Sequence, residues 1–154
     1  MASSRRSAGI LLYRRKAGRV EVLLAHAGGP FWAKKDLGAW TIPKGELGDG
    51  EEALAGARRE FEEETGLAMG APVIELGDVR QKSGKHVAAW AAEGDADVGA
   101  LRSNTFTMEW PPRSGRTSEF PEIDRWEWFD LAEAARRVHP AQVAFLERLA
   151  ERIS

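Results

Sequence analysis

The sequence predicts an α+β domain in which a mixed β-sheet is sandwiched between helices, an α/β/α arrangement. Apolar runs bounded by turn residues predict strands before and after one long acidic helix, and two further helical segments close the chain. This order of elements favours a sheet covered by helices on both faces. The 154 residues suffice for one hydrophobic core and contain no repeats or linkers. We therefore predict a single domain over residues 1–154, with residues 1–6 as a flexible tail.

The first third of the chain is predicted to form a hairpin, a loop and a short extended segment. Ser7–Tyr13 and Val20–His26 are apolar runs separated by a polar turn, and a Gly-Gly-Pro sequence ends the second run. The segment Phe31–Gly38 is predicted to be a loop that carries two aromatic and two lysine side chains. Residues 40–44 are predicted to be extended, because Pro43 disfavours helical geometry at the residue before it.

A helix is predicted from near Gly50 to about Thr65. Asp49 and Glu52 have the spacing of a capping box, in which Asp49 would be the N-cap residue. Gly66 stands where a C-terminal glycine is expected. The two signals together bound one long helix near the middle of the chain.

The second half is predicted to contain further extended segments and two closing helices. A stretch rich in turn residues at positions 111–118 carries two arginines and is predicted to be a loop. Asp130 is the expected N-cap of the first closing helix, and Pro140 occupies the first turn of the second. The extended segments are Val73–Leu76, Gly77–Gln81, His86–Ala92, Ser103–Trp110 and Ile123–Phe129, and the helices are Leu131–Val138 and Pro140–Ile153.

Composition narrows the functional classes. A net charge of −2 and a pI of about 6.0 leave no overall basic field that would recruit duplex nucleic acid. The lack of cysteine excludes disulfides, thiolate nucleophiles and zinc–thiolate sites, and agrees with a reducing compartment. The apolar run Ala8–Tyr13 is too short, and too closely bounded by arginines, for a signal or membrane segment. We expect a cytoplasmic enzyme, monomeric or homodimeric, without membrane contact.

The acidic helix carries charges at its unfavourable end. Glu60, Glu63 and Glu64 lie in its last turns, where the helix dipole favours cations by about 0.3–1 kcal/mol per charge, and the like charges repel one another. A bound divalent cation would relieve both effects, since carboxylate oxygens are hard ligands that suit Mg²⁺, Mn²⁺ or Ca²⁺. The alternative is a solvated acidic face. That alternative leaves unexplained three small residues that would let a bulky group approach the helix, Ala53, Gly56 and Ala57.

The segment Gly45–Leu67, GELGDGEEALAGARREFEEETGL, resembles the Nudix box. That motif is Gly, five residues, Glu, seven residues, Arg-Glu, an apolar residue, any residue, Glu-Glu, any residue, Gly and an apolar residue, and every defined position is matched. The flanking residues are also similar to members of the Nudix hydrolase superfamily over most of the chain. The matching positions are Gly45, Glu51, Arg59, Glu60, Phe61, Glu63, Glu64, Gly66 and Leu67.

The resemblance implies the Nudix fold and hydrolysis of a pyrophosphate bond in a nucleoside diphosphate linked to another group, with Mg²⁺ as cofactor and Mn²⁺ as a substitute. It implies that Glu60, Glu63 and Glu64 ligate the metal, and that Glu60 or Glu64 takes the proton of the attacking water. Arg59, four residues before Glu63, belongs to the catalytic set because a salt bridge would orient that carboxylate, a role that we favour over direct contact with phosphate. Gly45 would approach the metal through its carbonyl.

The resemblance also implies roles for two further carboxylates, Glu122 and Glu51. Several Nudix enzymes use a glutamate in the loop before the last strand as a metal contact or a base, and Glu122 stands at that position, with Glu119 as the competing choice. The alternative for Glu122 is an exposed loop carboxylate without such a role. Glu51 is expected to brace the loop of the box rather than to bind metal.

Candidate substrate-binding residues lie in loops outside the helix and directly before the box. Phe31 and Trp32 could hold a nucleobase, because stacking on an aromatic ring is worth about 1–3 kcal/mol per base. The alternative is that both rings fold back onto the core. Basic residues could contact phosphates or simply form solvated turns. They are Lys34, Lys44, Arg80, Lys82 and Lys85, with Lys35, Arg113 and Arg116 as further candidates.

The substrate is indicated only by the residues that precede the helix. Residues 40–46, WTIPKGE, are similar to the corresponding stretch of diadenosine polyphosphate hydrolases, and they differ from the Pro-Gly-Gly form of the branch that removes oxidised nucleotides. We therefore favour (di)nucleoside polyphosphates. ADP-ribose and other nucleotide sugars, oxidised nucleoside triphosphates, messenger-RNA 5′ ends and inositol pyrophosphates stay open. The alternative of another class is a non-catalytic Nudix domain that senses a ligand, which the complete set of box carboxylates disfavours.

Overall fold

A seven-stranded mixed sheet forms the centre of the computed structural model, which describes residues 6–101 and 103–153. Short 3₁₀ helices lie at Val98–Ala100 and Pro140–Gln142. The strands are β1 (Arg6–Lys16), β2 (Arg19–Ala27), β3 (Trp40–Thr41), β4 (Lys44–Glu46), β5 (Val73–Arg80), β6 (His86–Glu93), β7 (Thr105–Glu109), β8 (Thr117–Pro121) and β9 (Ile123–Asp130), and the helices are α1 (Ala53–Thr65), α2 (Leu131–Arg137) and α3 (Val143–Ile153).

The strands of the central sheet lie in the order β3-β2-β1-β6-β5, while β4 pairs with β1 and β9 pairs with β2. Of these pairs, β1 and β6 run parallel and the others are antiparallel. β7 and β8 form a separate two-stranded hairpin. The main sheet is therefore mixed, as predicted.

Strand register brings distant segments to one end of the sheet. Ser7, near the start of β1, pairs with Glu46 of β4 and with Val87 of β6. A turn joins β1 and β2 at their other ends, so the last residues of β2 also lie here, where Ala27 pairs with Ile123 of β9. We call this end the site edge. It comprises the starts of β1, β6 and β9, the end of β2, and the whole of β4.

Helices cover both faces of the sheet, because successive side chains of a strand point to opposite faces. On one face, Phe61 of α1 packs in a core with Ile10 of β1. On the other face, Phe145 of α3 packs in a second core with Leu11 of β1, and α2 joins that core through Ala134. This arrangement confirms the predicted sheet between helices.

The acidic helix begins later than predicted, and the assignment of Asp49 as its N-cap residue is wrong. Glu52 is the N-cap, and its carboxylate accepts hydrogen bonds from two backbone N–H groups of the first turn at 2.6 and 3.3 Å. The residues before it form a turn, closed by a hydrogen bond of 3.1 Å from the backbone N–H of Glu51 to the carbonyl of Gly48. Gly66 ends the helix in the left-handed conformation, at φ 78°, as predicted.

Strand β8 was not predicted, since part of it falls in the supposed loop at residues 111–118. It pairs with β7 in a hairpin whose outward side chains are exposed, so its sequence lacks the continuous apolar run of a buried strand. The other predicted strands and the two closing helices are present with shifted ends. Asp130 caps α2 as expected, since its carboxylate accepts a hydrogen bond of 2.8 Å from the backbone N–H of Glu133.

The predicted flexible tail falls almost wholly outside the described residues. Residues 1–5 are not described, and Arg6 already belongs to β1. Among the helices within residues 6–101 and 103–153, none is long and apolar enough to cross a membrane.

Candidate active site

Small residues seat the loop of the box against α1. A side chain at Gly45 would collide with the carboxylate of Glu60, so the backbone of β4 lies directly against this glutamate. A side chain at Gly56 would likewise collide with the Leu47 side chain, and Ala57 is fully buried. Ala53 is half-buried at the start of the helix. At Gly56, the bulky group that approaches the helix is therefore a side chain of the protein's own loop.

Arg59 ties the loop to the helix through a group of salt bridges that we call the brace. Its guanidinium donates to Glu51 at 2.7 and 2.9 Å and to Glu63 at 3.1 Å. Glu51 also accepts the backbone N–H of Gly48 at 2.9 Å. The hydrogen bonds from Arg59, and then the one from Gly48, lower the pKa of Glu51 to about 2. The same carboxylates raise the pKa of Arg59. The geometry agrees with the expected roles of Glu51 as a brace and Arg59 as an orienting residue.

Glu64 lies in a different environment from Glu63, although the two are adjacent. Glu64 is only 7% exposed to solvent. Burial, and then the charges of Glu60 and Glu122, raise the pKa of Glu64 to about 8. The ammonium of Lys44 and a hydrogen bond from the backbone N–H of Lys44 oppose this shift without cancelling it.

Glu60 and Glu122 complete what we call the acidic centre, together with Glu64. Burial raises the pKa of Glu60. The guanidinium of Arg59, 3.0 Å away, opposes this shift, and the charges of Glu63 and Glu122 add to it. Glu122 directly precedes β9 at the site edge, where its carbonyl accepts the backbone N–H of Gly28 at 2.8 Å. Its competitor Glu119 lies instead in the hairpin, opposite Thr107.

The acidic centre fits a hard divalent cation in charge and in ligand type. Glu60, Glu64 and Glu122 interact electrostatically, and the raised pKa values of Glu60 and Glu64 indicate that the protein balances the charge of these two carboxylates only in part. Their side chains do not converge into a closed metal-binding cluster, and no such cluster occurs elsewhere in the described part of the chain. Glu60, Glu64 and Glu122 could hold the ion, and Glu63 stays a candidate ligand; the guanidinium of Arg59 lies 3.0 Å from Glu60 and 3.1 Å from Glu63.

Two of the predicted basic residues lie beside the acidic centre. Gly45 faces α1, so its neighbour Lys44 points to the opposite face of β4. Burial and then the charge of Lys85 lower the pKa of Lys44, while Glu64, Glu46 and Glu60 raise it. The ammonium of Lys85 is 3.8 Å from the carboxylate of Glu46. The charge of Lys44 therefore interacts with those of Glu64 and Glu60, whereas Lys85 pairs with Glu46, which lies outside the acidic centre.

The remaining predicted basic residues are more peripheral. Arg80 and Lys82 are exposed in and next to the turn between β5 and β6, which lies at the site edge. Lys34 and Lys35 are exposed in the loop after β2, and the Lys35 ammonium lies 5.0 Å from the ring centroid of Trp32. Arg113 and Arg116 are exposed in the turn of the β7–β8 hairpin.

The predicted aromatic pair is exposed rather than folded onto the core. Phe31 is 61% exposed and Trp32 is 41% exposed. Sequence reasoning missed the partner of Phe31, which is Trp110, with ring centroids 5.6 Å apart and nearly perpendicular planes. It also missed His26, whose ring is fully buried beneath this loop. No local pattern could have found these contacts, because they join separate segments, although the run Phe31-Trp32 did mark the loop.

Comparisons with known proteins agree with this geometry. The model of the family described as the NUDIX domain matches residues 3–149. An RNA pyrophosphohydrolase from Brucella anthropi is 29% identical over 110 residues, which are 66% of this chain and 62% of that protein. An RNA pyrophosphohydrolase from Erythrobacter litoralis is 41% identical over 73 residues, 44% of this chain and 43% of that protein. The alignments thus span less than two thirds of either relative.

The fold has a solved counterpart. The crystal structure of a C. elegans Ap4A hydrolase binary complex superimposes with a TM-score of 0.71 and 22% identity, covering 96% of this chain and 97% of that one. At this identity the likeness concerns the fold alone. The match of the family model over nearly the whole chain is the stronger finding, and it shows that the chain belongs to the NUDIX domain family.

Proposed function

We propose that the protein is a Mg²⁺-dependent pyrophosphohydrolase that cleaves a nucleoside diphosphate linked to another group. The observation that carries the proposal is the buried Glu64 beside Glu60 and Glu122, three carboxylates whose charge the surrounding residues leave incompletely balanced. Membership of the NUDIX domain family and the similarity to RNA pyrophosphohydrolases support it. The complete box disfavours a ligand-sensing domain without activity.

Glu60, Glu64 and Glu122 would hold the ion in this proposal. When bound there, Mg²⁺ would supply charge neutralisation for the phosphates and Lewis acidity toward water. The backbone of Gly45 lies against the carboxylate of Glu60 and so limits the positions that this side chain can adopt. Arg59 keeps Glu63 and the loop of the box in place. Gly45 and Arg59 would therefore position the carboxylates whose oxygens bind the ion.

The carboxylates also supply the proton acceptor. A general base needs a pKa near the working pH, and burial moves the pKa of Glu64 to about 8 and raises that of Glu60. Glu63 is left out of this role in our proposal, because its side chain is 44% exposed, whereas that of Glu60 is 15% exposed. The base is therefore Glu60 or Glu64, and the pH dependence of kcat in Glu60→Gln and Glu64→Gln variants distinguishes them.

A substrate can span the site edge. We propose that its phosphates lie between the acidic centre and Lys44 with Lys85, and that its base stacks on the exposed Phe31 and Trp32. The sequence before the helix favours dinucleoside polyphosphates, and the fold shared with the C. elegans Ap4A hydrolase is compatible with them. A cytoplasmic location and a monomeric or homodimeric state stay predictions.

A second candidate is removal of pyrophosphate from the 5′ end of RNA. The two curated relatives carry the name RNA pyrophosphohydrolase, at 29% and 41% identity. The net charge of −2 provides no general attraction for a long RNA, so we place this activity second.

The deciding experiment is a substrate panel in H₂¹⁸O with Mg²⁺. It contains diadenosine polyphosphates, ADP-ribose, nucleoside triphosphates and a triphosphorylated RNA, with a Glu63→Gln/Glu64→Gln double variant as the blank. We expect release of a nucleotide product from a dinucleoside polyphosphate, and the labelled phosphorus identifies the one attacked. Faster turnover of the RNA would favour the second candidate. Phosphate release no greater than the blank for every compound would contradict hydrolysis and favour a ligand sensor.

A further inference from the structure

A buried histidine holds the loop that carries the exposed aromatic rings. His26, the penultimate residue of β2, has no exposed surface. Its Nε2 lies 2.6 Å from the carbonyl oxygen of Lys35 in the loop, and its Nδ1 lies 2.7 Å from the carboxylate of Asp124 in β9. One ring thus connects the loop to the strand that follows Glu122.

Both partners of the ring are hydrogen-bond acceptors. A backbone carbonyl can only accept, and an ionised carboxylate can only accept. Both nitrogens of His26 therefore lie at hydrogen-bond distance from an acceptor, and the ring joins the Lys35 carbonyl to the Asp124 carboxylate. The Trp40 ring lies 5.1 Å from the His26 ring between centroids, with 67° between their planes, and the Arg125 guanidinium lies 3.9 Å from the same carboxylate oxygen of Asp124.

A second attachment holds the same part of the loop. Asp36 accepts a hydrogen bond of 2.8 Å from the indole N–H of Trp40 and two, of 2.6 and 2.7 Å, from the guanidinium of Arg137 in α2. The bond from Trp40 and then the contact with Arg137 lower the pKa of Asp36, although burial opposes them. The loop therefore has an anchored base at residues 35 and 36, and a tip whose rings Phe31 and Trp32 are largely exposed.

The first residues of the loop, Gly28 and Gly29, are closely packed against neighbouring segments. A side chain at Gly28 would collide with the carbonyl of Pro121, and one at Gly29 would meet the ring of Phe106 at 2.9 Å. The start of the loop is therefore wedged against the residues before Glu122. His26 connects the far end of the loop to the same strand, β9.

We propose that His26 is a positioning residue: by contacting the Lys35 carbonyl and the Asp124 carboxylate together, it fixes the aromatic tip of the loop relative to Glu122 and so sets the affinity for the nucleobase. The proposal rests on the proposed function for the identity of the ligand. It does not make His26 a catalytic residue, because the ring contacts neither the acidic centre nor the solvent.

Two variants separate the two hydrogen bonds. The amide nitrogen of asparagine reaches the place of Nδ1, so His26→Asn retains a donor for Asp124 and leaves the Lys35 carbonyl without one. The amide nitrogen of glutamine reaches the place of Nε2, so His26→Gln retains the donor for Lys35. Hydrogen–deuterium exchange of residues 30–38 reports on the loop, and the KM and kcat for diadenosine tetraphosphate with Mg²⁺ report on its use.

We expect His26→Asn to raise exchange in residues 30–38 and the KM about tenfold each, with kcat within about twofold of wild type. His26→Gln should restore most of both values. Should His26→Asn fail to fold, Asp124→Ala releases the other side of the ring, and we expect about threefold changes in the same two readouts. Unchanged loop exchange, an unchanged KM, or equal effects of the Asn and Gln variants would overturn the proposal.

The test separates this inference from the proposed function. If the wild-type protein hydrolyses no nucleotide, the proposed function fails, while loop exchange and calorimetric affinity for ADP still decide the role of His26. In that case, a weaker ADP affinity in His26→Asn that His26→Gln restores supports the role. An affinity equal to wild type in both variants overturns it.

Discussion

The brace and the acidic centre are both built from glutamates on and around α1, but they differ in how their charge is balanced. In the brace, Arg59 holds Glu51 and Glu63 at 2.7 and 3.1 Å, and the pKa of Glu51 falls to about 2. In the acidic centre, burial and like charges raise the pKa of Glu64 to about 8. The charge of the brace is thus balanced within the protein, whereas that of the acidic centre is balanced only in part.

The largest predicted effect is that of a neutral side chain in the acidic centre. Glu64→Gln keeps the shape but removes a charged oxygen ligand, so we expect kcat to fall about 10²–10³-fold without loss of folding. Steady-state kinetics and circular dichroism measure the two quantities. Glu62→Gln, an exposed glutamate on the same helix, is the matched control and should stay near wild-type activity. Equal losses in both variants would contradict a special role for Glu64.

A neutral side chain in the brace should have a smaller effect on activity. In Glu51→Gln the partner of the Arg59 guanidinium loses its charge, so the loop of the box is positioned less firmly. We expect kcat/KM to fall about 10–100-fold, as is usual for residues that orient ligands. The melting temperature should also decrease. A loss of activity as large as that of Glu64→Gln would show that Glu51 itself belongs to the acidic centre.

The third prediction concerns the two glutamates near β9. Glu122 raises the pKa of both Glu60 and Glu64, whereas Glu119 lies in the hairpin. We expect Glu122→Gln to lower kcat about tenfold and Glu119→Gln to change it less than about twofold. Titration of activity with Mg²⁺ should show a weaker metal dependence only in the first variant. The reverse order would assign the role to Glu119.

The smallest effects are on stability, and they have opposite signs in the two groups. The pKa of Glu64 is raised from 4.5 to about 8, so its contribution to metal-free stability is present below pH 4.5 and is lost as the pH rises through about 8. The pKa of Glu51 is lowered from 4.5 to about 2, so its contribution is present above pH 4.5 and is lost as the pH falls through about 2.

Thermal melts in EDTA test these signs. At pH 8.5 (about half a unit above the pKa of Glu64) we expect metal-free Glu64→Gln to melt several degrees above wild type, and this advantage should disappear near pH 5. Glu51→Gln should melt below wild type at both pH values, since both lie above the lowered pKa of Glu51. A Glu64→Gln variant that melts below wild type at pH 8.5 would show that the charged carboxylate stabilises the helix.

The box could be predicted from the sequence because its residues are local. Glu60, Glu63 and Arg59 lie within one helix, where spacing alone decides which side chains are neighbours. Their repulsion was overstated, however, since Arg59 compensates Glu63 and part of Glu60. The predicted N-cap was wrong because residues 48–51 form a hydrogen-bonded turn, after which Glu52 caps the helix.

The surroundings of the box depend on contacts between distant segments. Phe31 meets Trp110, and His26 meets Asp124, across separations that no periodicity reports. Strand β8 is held only by its pairing with β7 and has an exposed side, so it carries no buried-strand pattern. The sequence could therefore indicate the chemistry of the site, while the residues that select the substrate became visible only in the fold.

Proton release on metal binding tests the unbalanced charge of the acidic centre most directly. At pH 7 Glu64 is mostly protonated, because its pKa is about 8, so a cation that binds there must displace the proton. We predict saturable binding of Mn²⁺ by calorimetry, with release of about one proton per ion, read from the heats in buffers of different ionisation enthalpy. Glu64→Gln should bind more weakly and release none. Absence of saturable binding, or binding without proton release in the wild-type protein, would contradict the assignment of these carboxylates as the metal site.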